Sequence, residues 1–203
     1  MEIEQFLDRL ASPAATPGGG SASALAGALS ASLAAMVAGL SFEKGKLKKK
    51  EAKEIQKRAL AIQKRLLRAV DEDARSFDGV MAAFRLPRDT EKQRLRRSAM
   101  IQRAYQKATV PPAVVCEESV QLLRFCRTLT SKGNPNAWSD TGVAGFLASA
   151  ALEGGILNIR INLASIRDKS FKKRMEGLVT RLRKKRDQLI KRQDGQYAMV
   201  HGR

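Results

Sequence analysis

The chain has 203 residues and a formal charge of +18 at pH 7, and aromatic residues make up only 5% of it. This length suits one domain with a sizeable core, which the composition predicts to be mainly aliphatic and rich in alanine. Two cysteines are too few for a disulfide scaffold. The N-terminus carries Glu2, Glu4 and Asp8 where a signal peptide would be basic, so we expect a cytoplasmic protein.

The positive charge is concentrated in three parts of the chain. Residues 44–70 hold eleven lysines and arginines against two acidic residues, residues 91–110 hold six against one, and residues 163–203 hold thirteen against four. Such basic faces attract nucleic acid or another polyanion, or they form the solvated surface of a thermostable protein. Almost no aromatic residues accompany them, which counts against base stacking on nucleic acid.

Residues 3–11 predict a short amphipathic helix, and a segment of small residues follows from Thr16 to Phe42. Pro17 and three glycines lead into a run of Ala, Gly, Ser and Leu without any charge, and Ser21 suits an N-cap. The absence of a polar side predicts a central helix surrounded by neighbours on every side. The segment approaches membrane-spanning length, but it is only weakly hydrophobic, so we expect a buried helix and no membrane span.

The N-terminus of this central helix is a candidate binding feature. Its free backbone N–H groups and its helix dipole would favour a carboxylate, a phosphate or a carbonyl oxygen. The spacing matches neither a Walker loop nor a dinucleotide fingerprint, because no Gly-Lys-Ser/Thr follows and no predicted strand precedes it. A plain structural turn is the alternative interpretation.

A long amphipathic helix is predicted from about Gly45 to Phe84, with apolar residues every three or four positions. Asp73 interrupts this apolar stripe between Val70 and Phe77, so its carboxylate should point toward the core. Burial raises the pKa of an unpaired carboxylate, which is how general acids and bases near neutral pH arise. Helix capping, helix bridging and contact with buried water are the structural alternatives.

Helical patterns fill the rest of the chain. Ser139 or Asp140 is the expected cap of a second helix of small residues, on which Asn158 and Asn162 are i, i+4 partners that share a side with Asp140. For these three residues, helix capping and helix bridging are again the alternatives to a functional role. This second helix spans about 141–166, and the further predicted helices span about 90–110, 113–130 and 168–192.

These patterns predict an all-α fold, a helical bundle with long antiparallel helices around the small-residue central helix. Residues 1–192 form a single domain in this interpretation, and residues 193–203 form a flexible C-terminal tail. A metal centre is not expected, because the one histidine, His201, lies in the tail and no Cys/His spacing suits zinc. Neither Cys116 nor Cys126 has a predicted base nearby, so nucleophilic catalysis by cysteine is not expected either.

Three motifs in the same order resemble the cyclodeaminase/cyclohydrolase family. They read TPGGGS before the ALAGAL helix, VDEDARSFDGVMAAFRLPRD at 70–89, and GNPNAWSDTGVAGFLASAALEGGILNIRINL at 133–163. The family includes the cyclodeaminase domain of formiminotransferase-cyclodeaminase and stand-alone methenyltetrahydrofolate cyclohydrolases. The resemblance implies a helical homodimer that acts on one-carbon tetrahydrofolates, with no metal and no permanently bound cofactor.

The resemblance also implies roles for individual residues. Asp73 and Asp140 are the candidates for the base and the electrostatic partner of a cationic amidinium-like carbon. Glutamate tails of the folate, often several residues long, would meet the basic side chains Lys132, Arg88 and Arg160. The remaining candidates for substrate binding are Gly18, Gly19, Gly20, Ser21, Asn134, Ser139, Asn158 and Asn162.

The sequence does not choose between a cyclodeaminase and a cyclohydrolase, which differ in whether ammonia or water is handled at one carbon. Two other classes of protein stay open. The lysine-rich run 44–58 is compatible with a helical protein that binds nucleic acid, although it contains no recognised binding motif. A non-catalytic scaffold that assembles through its close-packing helices is the third possibility.

Overall fold

The computed structural model describes residues 2–44 and 47–201, and within them it contains seven α-helices and no strand. The all-α prediction is therefore confirmed. The helices are α1 Ile3–Ala11, α2 Gly19–Lys44, α3 Lys49–Phe84, α4 Glu91–Ala108, α5 Val110–Lys132, α6 Trp138–Ser165 and α7 Lys169–His201, with a short 3-10 turn at Pro135–Ala137.

Helix α2 packs between α3 and α6 and runs antiparallel to α3. At one end of α2, the Ser21 hydroxyl donates to the Val70 carbonyl oxygen over 2.9 Å. Farther along, the Gln63 amide donates to the Ser32 hydroxyl over 2.7 Å. Residue numbers increase in opposite directions along α2 and α3, so residues near the start of α2 contact the second half of α3.

Helix α6 lies antiparallel to α2 on its other side. The Ser30 hydroxyl donates to the Ala144 carbonyl oxygen over 2.7 Å, whereas Ser23 lies against Gly154. Small residues let these two backbones approach closely, and the face of α2 that meets its neighbours is made largely of alanine. The buried alanines of α2 are Ala24, Ala28, Ala31, Ala34, Ala35 and Ala38.

Helix α7 covers α5 and α6 through apolar and ionic contacts. Val179, Leu182 and Leu189 are buried against the core, and Glu153 of α6 forms ion pairs with Arg183 and Arg186. The backbone of α7 continues to His201, beyond the predicted end near residue 192. Residues 202–203 lie outside the described residues, and the predicted flexibility of the tail stays a prediction.

Two predicted helix caps are wrong. Helix α2 begins at Gly19, so Ser21 lies in its first turn and does not occupy the N-cap position. Helix α6 begins at Trp138 after the 3-10 turn, which places Ser139 and Asp140 in its first turn. In both cases the helix begins one or two residues before the residue whose side chain suited a cap.

One side of α2 is exposed to solvent in the single chain. The prediction that neighbours surround this helix completely is therefore wrong for the isolated chain. Leu29, Met36 and Leu40 are each more than 40% exposed. The neighbouring α6 also exposes large apolar side chains. We call the two exposed sides together the apolar face; its members are Leu29, Met36 and Leu40 of α2 and Val143, Phe146, Leu157 and Ile161 of α6.

Two segments, Gly19–Ser41 and Pro135–Ser165, are long and apolar enough to cross a bilayer by length and composition. About half of each hydrophobic window is buried inside the protein. Core helices of soluble proteins pass the same test. Both segments here have an inner side packed in the core and an outer side on the apolar face, which accounts for their high hydropathy.

Because α2 packs closely against its neighbours, adding a single methyl group at Gly27 should destabilise the fold. A Cβ there would lie 2.9 Å from Leu66 Cδ1 and 3.4 Å from Ala151 Cβ, and Leu66 is fully buried. We expect Gly27→Ala to lower the free energy of unfolding by about 1–3 kcal/mol, measured by urea denaturation. The control is Gly79→Ala, because a Cβ at this helical position has no neighbour within 4 Å. That control should gain about 0.5–1 kcal/mol, and equal stability of the two variants would contradict the prediction.

Candidate active site

Asp73 lies half-buried at the N-terminus of α2, as its position in the α3 stripe predicts. The single proton of the Ser21 hydroxyl is shared between the Val70 carbonyl oxygen at 2.9 Å and Asp73 Oδ2 at 3.1 Å. The Ser21 backbone N–H also donates to the Asp73 carboxylate. The carboxylate therefore satisfies one of the free N–H groups of α2 and lies in the positive end of its helix dipole. Asp73 performs the helix-capping role that the sequence assigned to Ser21.

Gly20 makes this close approach possible. A Cβ at position 20 would lie 2.2 Å from Asp73 Oδ1 and 2.5 Å from Cγ, distances at which the carboxylate would have to move. The glycine loop is therefore more than a flexible turn, because the absence of a side chain at this position creates the space that the carboxylate occupies.

Burial raises the pKa of Asp73 above its ordinary value of 3.8, and the hydrogen bonds from Ser21 partly offset this effect. Desolvation is the largest cause, since it disfavours the ionised form. A carboxyl group of this kind is closer to exchanging protons near neutral pH than an exposed aspartate, as expected of a general acid or base.

Two amide side chains of α6 approach the same end of the molecule. Asn158 Nδ2 lies 3.6 Å from the position of a Cβ on Gly19, and it donates to the Gly154 carbonyl oxygen over 2.8 Å. Asn162 Nδ2 donates to the Ala108 carbonyl oxygen over 3.0 Å. Neither Oδ1 accepts a hydrogen bond from the part of the chain that the structure describes, so both oxygens are available as acceptors for a ligand.

Asp140 and Ser139 lie at the opposite end of α6. Eighteen residues of helix separate Asp140 from Asn158, a distance of about 27 Å along the axis. The structure therefore does not bring Asp140 or Ser139 to Asp73 within one chain. A shared sequence stripe placed the polar residues on one side of the helix, but it did not show that they occupy different ends.

Asn134 and Lys132 also lie at this far end, and both have structural partners. The Asn134 backbone N–H donates to the Ser41 hydroxyl over 2.8 Å, and its side chain contacts the end of α2 through the Leu40 carbonyl oxygen. Lys132 forms an ion pair with Glu51 at 3.6 Å. Asn134 thus docks the turn before α6 onto α2, which is the structural alternative to a role in substrate binding.

The other predicted basic residues are not beside Asp73. Arg160 is exposed and lines a groove formed with α7. Arg88 is exposed in the loop between α3 and α4, where its carbonyl oxygen accepts from Arg94. Arg160 nevertheless belongs to the same end of α6 as Asn158 and Asn162.

A cavity of about 810 Å³ opens between α3, α4 and the start of α5. Its lining does not include Asp73, but it includes residues next to Asp73 on α3 and residues on either side of Ala108. Glu72 and Ser76 flank Asp73 on α3, and Lys107 and Val110 flank Ala108, the acceptor of the Asn162 amide. The lining residues are Glu72, Arg75, Ser76, Gly79, Ala82, Ala83, Leu86, Met100, Arg103, Ala104, Lys107, Val110 and Pro111.

The sequence interpretation missed the basic residues of this cavity. Arg75 follows the Asp-Glu-Asp run of α3, and Arg103 and Lys107 are i, i+4 partners on α4. The i, i+4 spacing of Arg103 and Lys107 could have indicated from the sequence that both project from the same side of α4. However, only the packing of α4 against α3 shows that the three side chains line one space.

Other reactive groups have little part in this site. Burial raises the pKa of the Cys116 and Cys126 thiols to about 12, so both are protonated near neutral pH. Among the side chains that the structure describes, those of residues 2–41 and 47–190, no three His, Cys, Asp or Glu are grouped to hold a metal ion. The described cluster offers one carboxyl group with a raised pKa, two amide oxygens and a glycine-lined backbone, which can stabilise a cation and transfer a proton.

Comparison with known sequences gives a consistent result. The family model described as formiminotransferase-cyclodeaminase matches residues 2–181. A methenyltetrahydrofolate cyclohydrolase of Methylorubrum extorquens is 37% identical over 183 residues, which cover 87% of this chain and 88% of that protein. A formimidoyltransferase-cyclodeaminase of Gallus gallus is 31% identical over 179 residues, and the match spans 87% of this chain but only 33% of that longer protein.

A solved structure has the same fold. The crystal structure of formiminotetrahydrofolate cyclodeaminase from Thermotoga maritima superposes with a TM-score of 0.88 and 25% sequence identity, covering 98% of this chain and 97% of that one. The order of the three sequence motifs, the helical fold and the match over residues 2–181 agree. This chain belongs to the formiminotransferase-cyclodeaminase family.

Proposed function

We propose that this protein is an enzyme of one-carbon tetrahydrofolate metabolism that hydrolyses 5,10-methenyltetrahydrofolate to 10-formyltetrahydrofolate. The observation that carries the proposal is the half-buried Asp73 carboxylate at the glycine-lined start of α2. The relative that matches nearly end to end at 37% identity is a methenyltetrahydrofolate cyclohydrolase, which favours hydrolysis. We propose a cytoplasmic location for the enzyme, and a polyglutamylated folate as its substrate.

The reaction suits a single carboxyl group with a raised pKa. The methenyl carbon is part of a cationic amidinium, and the Asp73 carboxylate stabilises this charge while it accepts a proton from the attacking water. The new C–O bond produces a neutral tetrahedral carbon. The C–N5 bond then breaks as Asp73 returns the proton to N5, and the hydroxyl proton is released to solvent as the formyl carbonyl forms. Overall, one water is consumed and one proton is released.

The neighbouring groups orient the substrate in this proposal. The Oδ1 atoms of Asn158 and Asn162 accept hydrogen bonds from N–H groups of the pterin. Gly18, Gly19 and Gly20 bring the α2 backbone close to the ring, and Ser21 holds Asp73 in place. Asp140 remains a catalytic candidate only if a second chain brings it to this end of the molecule.

Cyclodeamination is the second candidate function, and the structural match to the Thermotoga maritima cyclodeaminase favours it. In that reaction N10 of 5-formiminotetrahydrofolate attacks the formimino carbon and ammonia leaves, so the same carboxylate would protonate the departing nitrogen. Parallel assays with the methenyl and formimino substrates, with ammonia measured, distinguish the two. Ammonia release without hydrolysis of the methenyl substrate would assign the second function.

Replacing the proposed catalytic carboxylate tests the function directly. We expect Asp73→Asn to lower kcat for hydrolysis by about 10²–10⁴-fold, because the amide can neither accept a proton nor neutralise the cation. The measurement is the loss of methenyltetrahydrofolate absorbance near neutral pH. Asp71→Asn, an exposed carboxylate two residues away on α3, is the control and should keep wild-type activity. Full activity of Asp73→Asn would refute the proposed role.

The pH profile gives a second test. Because the pKa of Asp73 is raised, the carboxylate forms as pH rises through a value above 3.8, and kcat/KM should rise along an acidic limb there.

The same shift affects the free energy of unfolding, because the folded state favours the protonated form of Asp73. This contribution to stability is fully present below pH 3.8 and is lost as pH rises through the pKa of the folded state.

Ser21 should control the position of this acidic limb. Its hydrogen bonds lower the pKa of Asp73, so Ser21→Ala removes the hydroxyl contribution and should move the limb to higher pH. Ser30→Ala is the matched control, since Ser30 is another buried serine of α2 whose hydroxyl donates to a carbonyl oxygen of a neighbouring helix. An acidic limb at the same pH in both variants would show that Asp73 does not set the profile.

We further propose that the protein is a homodimer joined through the apolar face. The chain carries a net charge of +18, and the side chains of this face are uncharged. Two copies can therefore approach there with the least electrostatic repulsion, while burying side chains such as Phe146, which is 72% exposed.

Charge introduced into the apolar face should prevent dimerisation. We expect Phe146→Glu to convert the dimer to a monomer in analytical ultracentrifugation, because the carboxylate would be buried without a partner. Leu95→Glu is the control, since Leu95 is 66% exposed on α4 outside this face, and it should remain dimeric. A wild-type protein that sediments as a monomer at micromolar concentration would contradict the proposal.

A further inference from the structure

The outer side of α3 carries basic side chains at intervals of three, four or seven residues. This spacing places them on one side of the helix, opposite the residues that α3 buries in the core. We call them the basic stripe; its members are Lys50, Lys53, Lys57, Lys64 and Arg68. All five side chains are exposed. The first and last members are eighteen positions apart, which is about 27 Å along the helix axis.

The basic stripe is unpaired within the protein. In the part of the chain that the structure describes, none of its five side chains forms a hydrogen bond or an ion pair. The arginines on the side of α3 that faces α5 differ, because Arg65 pairs with Glu118 at 2.6 Å and Arg58 stacks over the Phe125 ring at 5.3 Å. Like charges at i, i+4 destabilise a helix, so the stripe lowers the stability of α3 unless an anionic partner covers it.

Acidic residues do little to neutralise this part of α3. Residues 48–70 hold nine lysines and arginines, and their only acidic residues are Glu51 and Glu54. Glu51 is turned toward α5, where it pairs with Lys132 at 3.6 Å. The basic stripe is therefore a concentrated positive field, and a cationic surface of this kind attracts a polyanion.

The basic stripe also protrudes from the bundle. The helices α2 and α5 cover only the inner side of α3, and the positions next to the stripe, such as Leu60 and Ala61, are exposed as well. The lysines Lys53, Lys57 and Lys64 line a shallow groove of about 420 Å³ along this ridge. An exposed helical ridge with cations along its crest can approach the phosphates of a long anion over its whole length.

We propose that the basic stripe binds the phosphate backbone of double-stranded DNA without sequence preference. Lysine is a compact point charge, which suits contacts to phosphates and carries no information about the bases. The major groove of B-form DNA is about 12 Å wide and admits an α-helix. A stripe of about 27 Å matches about eight base pairs at a rise of about 3.4 Å. This activity is independent of the proposed function, because no member of the stripe belongs to the candidate active site.

The same features argue against other polyanions. The major groove of double-stranded RNA is too deep and narrow for a helix. Single strands are held by stacking on aromatic side chains, and residues 48–70 contain none. A helix that lies on an anionic membrane inserts its apolar side, whereas Ile55, Ile62 and Leu66 on the apolar side of α3 are buried in the core.

The test is fluorescence anisotropy with a labelled DNA duplex of about 20 base pairs, at salt concentrations from about 50 to about 200 mM. If the five side chains each neutralise one phosphate, the logarithm of the association constant should fall against the logarithm of the salt concentration with a slope of about −4 to −5. We expect Lys53→Gln/Lys57→Gln/Lys64→Gln to bring this slope to about −2 and to weaken binding at least tenfold at about 50 mM salt.

The matched control is Lys173→Gln/Lys184→Gln/Lys185→Gln, which removes the same charge from three exposed lysines of α7. Its slope and its affinity should stay close to those of the wild type. If this control loses as much affinity as the α3 variant, general charge attraction explains the binding and the inference is overturned. Absence of binding by the wild-type protein at about 50 mM salt would overturn it as well.

Competition against the labelled duplex identifies the kind of polyanion. The competitors are unlabelled duplex DNA, duplex RNA, single-stranded DNA and vesicles made of phosphatidylcholine and phosphatidylserine in equal parts. Unlabelled duplex DNA should compete best, and stronger competition by any of the other three would contradict the assignment to double-stranded DNA. The triple variant should fold, since its substituted side chains are exposed and glutamine suits a helix, and thermal unfolding checks this. If it does not fold, Lys57→Gln alone should reduce the size of the salt slope by about one, and an unchanged slope would refute the inference.

Discussion

The contact between the Asp73 carboxylate and the start of α2 is the interaction on which the proposed site depends. It requires a long α3, which carries the aspartate past the end of α2, and a glycine at position 20, which leaves room for the carboxylate. The contact serves structure and chemistry together, because the carboxylate caps α2 while partial burial raises its pKa. A group that both holds the helix end and exchanges a proton couples the packing of the bundle to the proposed reaction.

The basic charge of the chain has different roles in different places. Some of it links helices, as in the ion pairs of Glu153 with Arg183 and Arg186 between α6 and α7. Much of it is solvated on the outer faces of α3 and α7. Arg75, Arg103 and Lys107 differ from both groups, because they line a concave and largely apolar space between α3, α4 and the start of α5. The high charge of an enzyme for small molecules is therefore compatible with anionic substrates, while the apolar face leaves one side suited to self-association.

Comparison of Asp73 with Asp140 shows how far a sequence pattern can predict a site. Both residues interrupt a helical stripe of apolar or small residues. For Asp73 the stripe predicted an inward carboxylate, and the structure shows it half-buried, but its contact with the glycine loop did not follow from the stripe. For Asp140 the same reasoning assigned a side of α6 but could not place the residue along the axis relative to α2. The structure gives Asn134 hydrogen bonds that dock a turn, which its motif did not predict, and its role in substrate binding stays a prediction.

Helix periodicity, the proline and glycine breaks and the three motifs were enough to determine an all-α chain, the approximate helices and the family. These properties are local, because they depend on neighbours within a few turns of the same helix. Which helix ends meet was decided by tertiary packing. The antiparallel order of α2, α3 and α6 brings Gly20, Asp73 and Asn158 together and sends Asp140 to the other end. Likewise, only the packing of α4 against α3 makes Arg75, Arg103 and Lys107 neighbours, since contacts between residues far apart in the chain depend on how the helices cross and not on the spacing within either one.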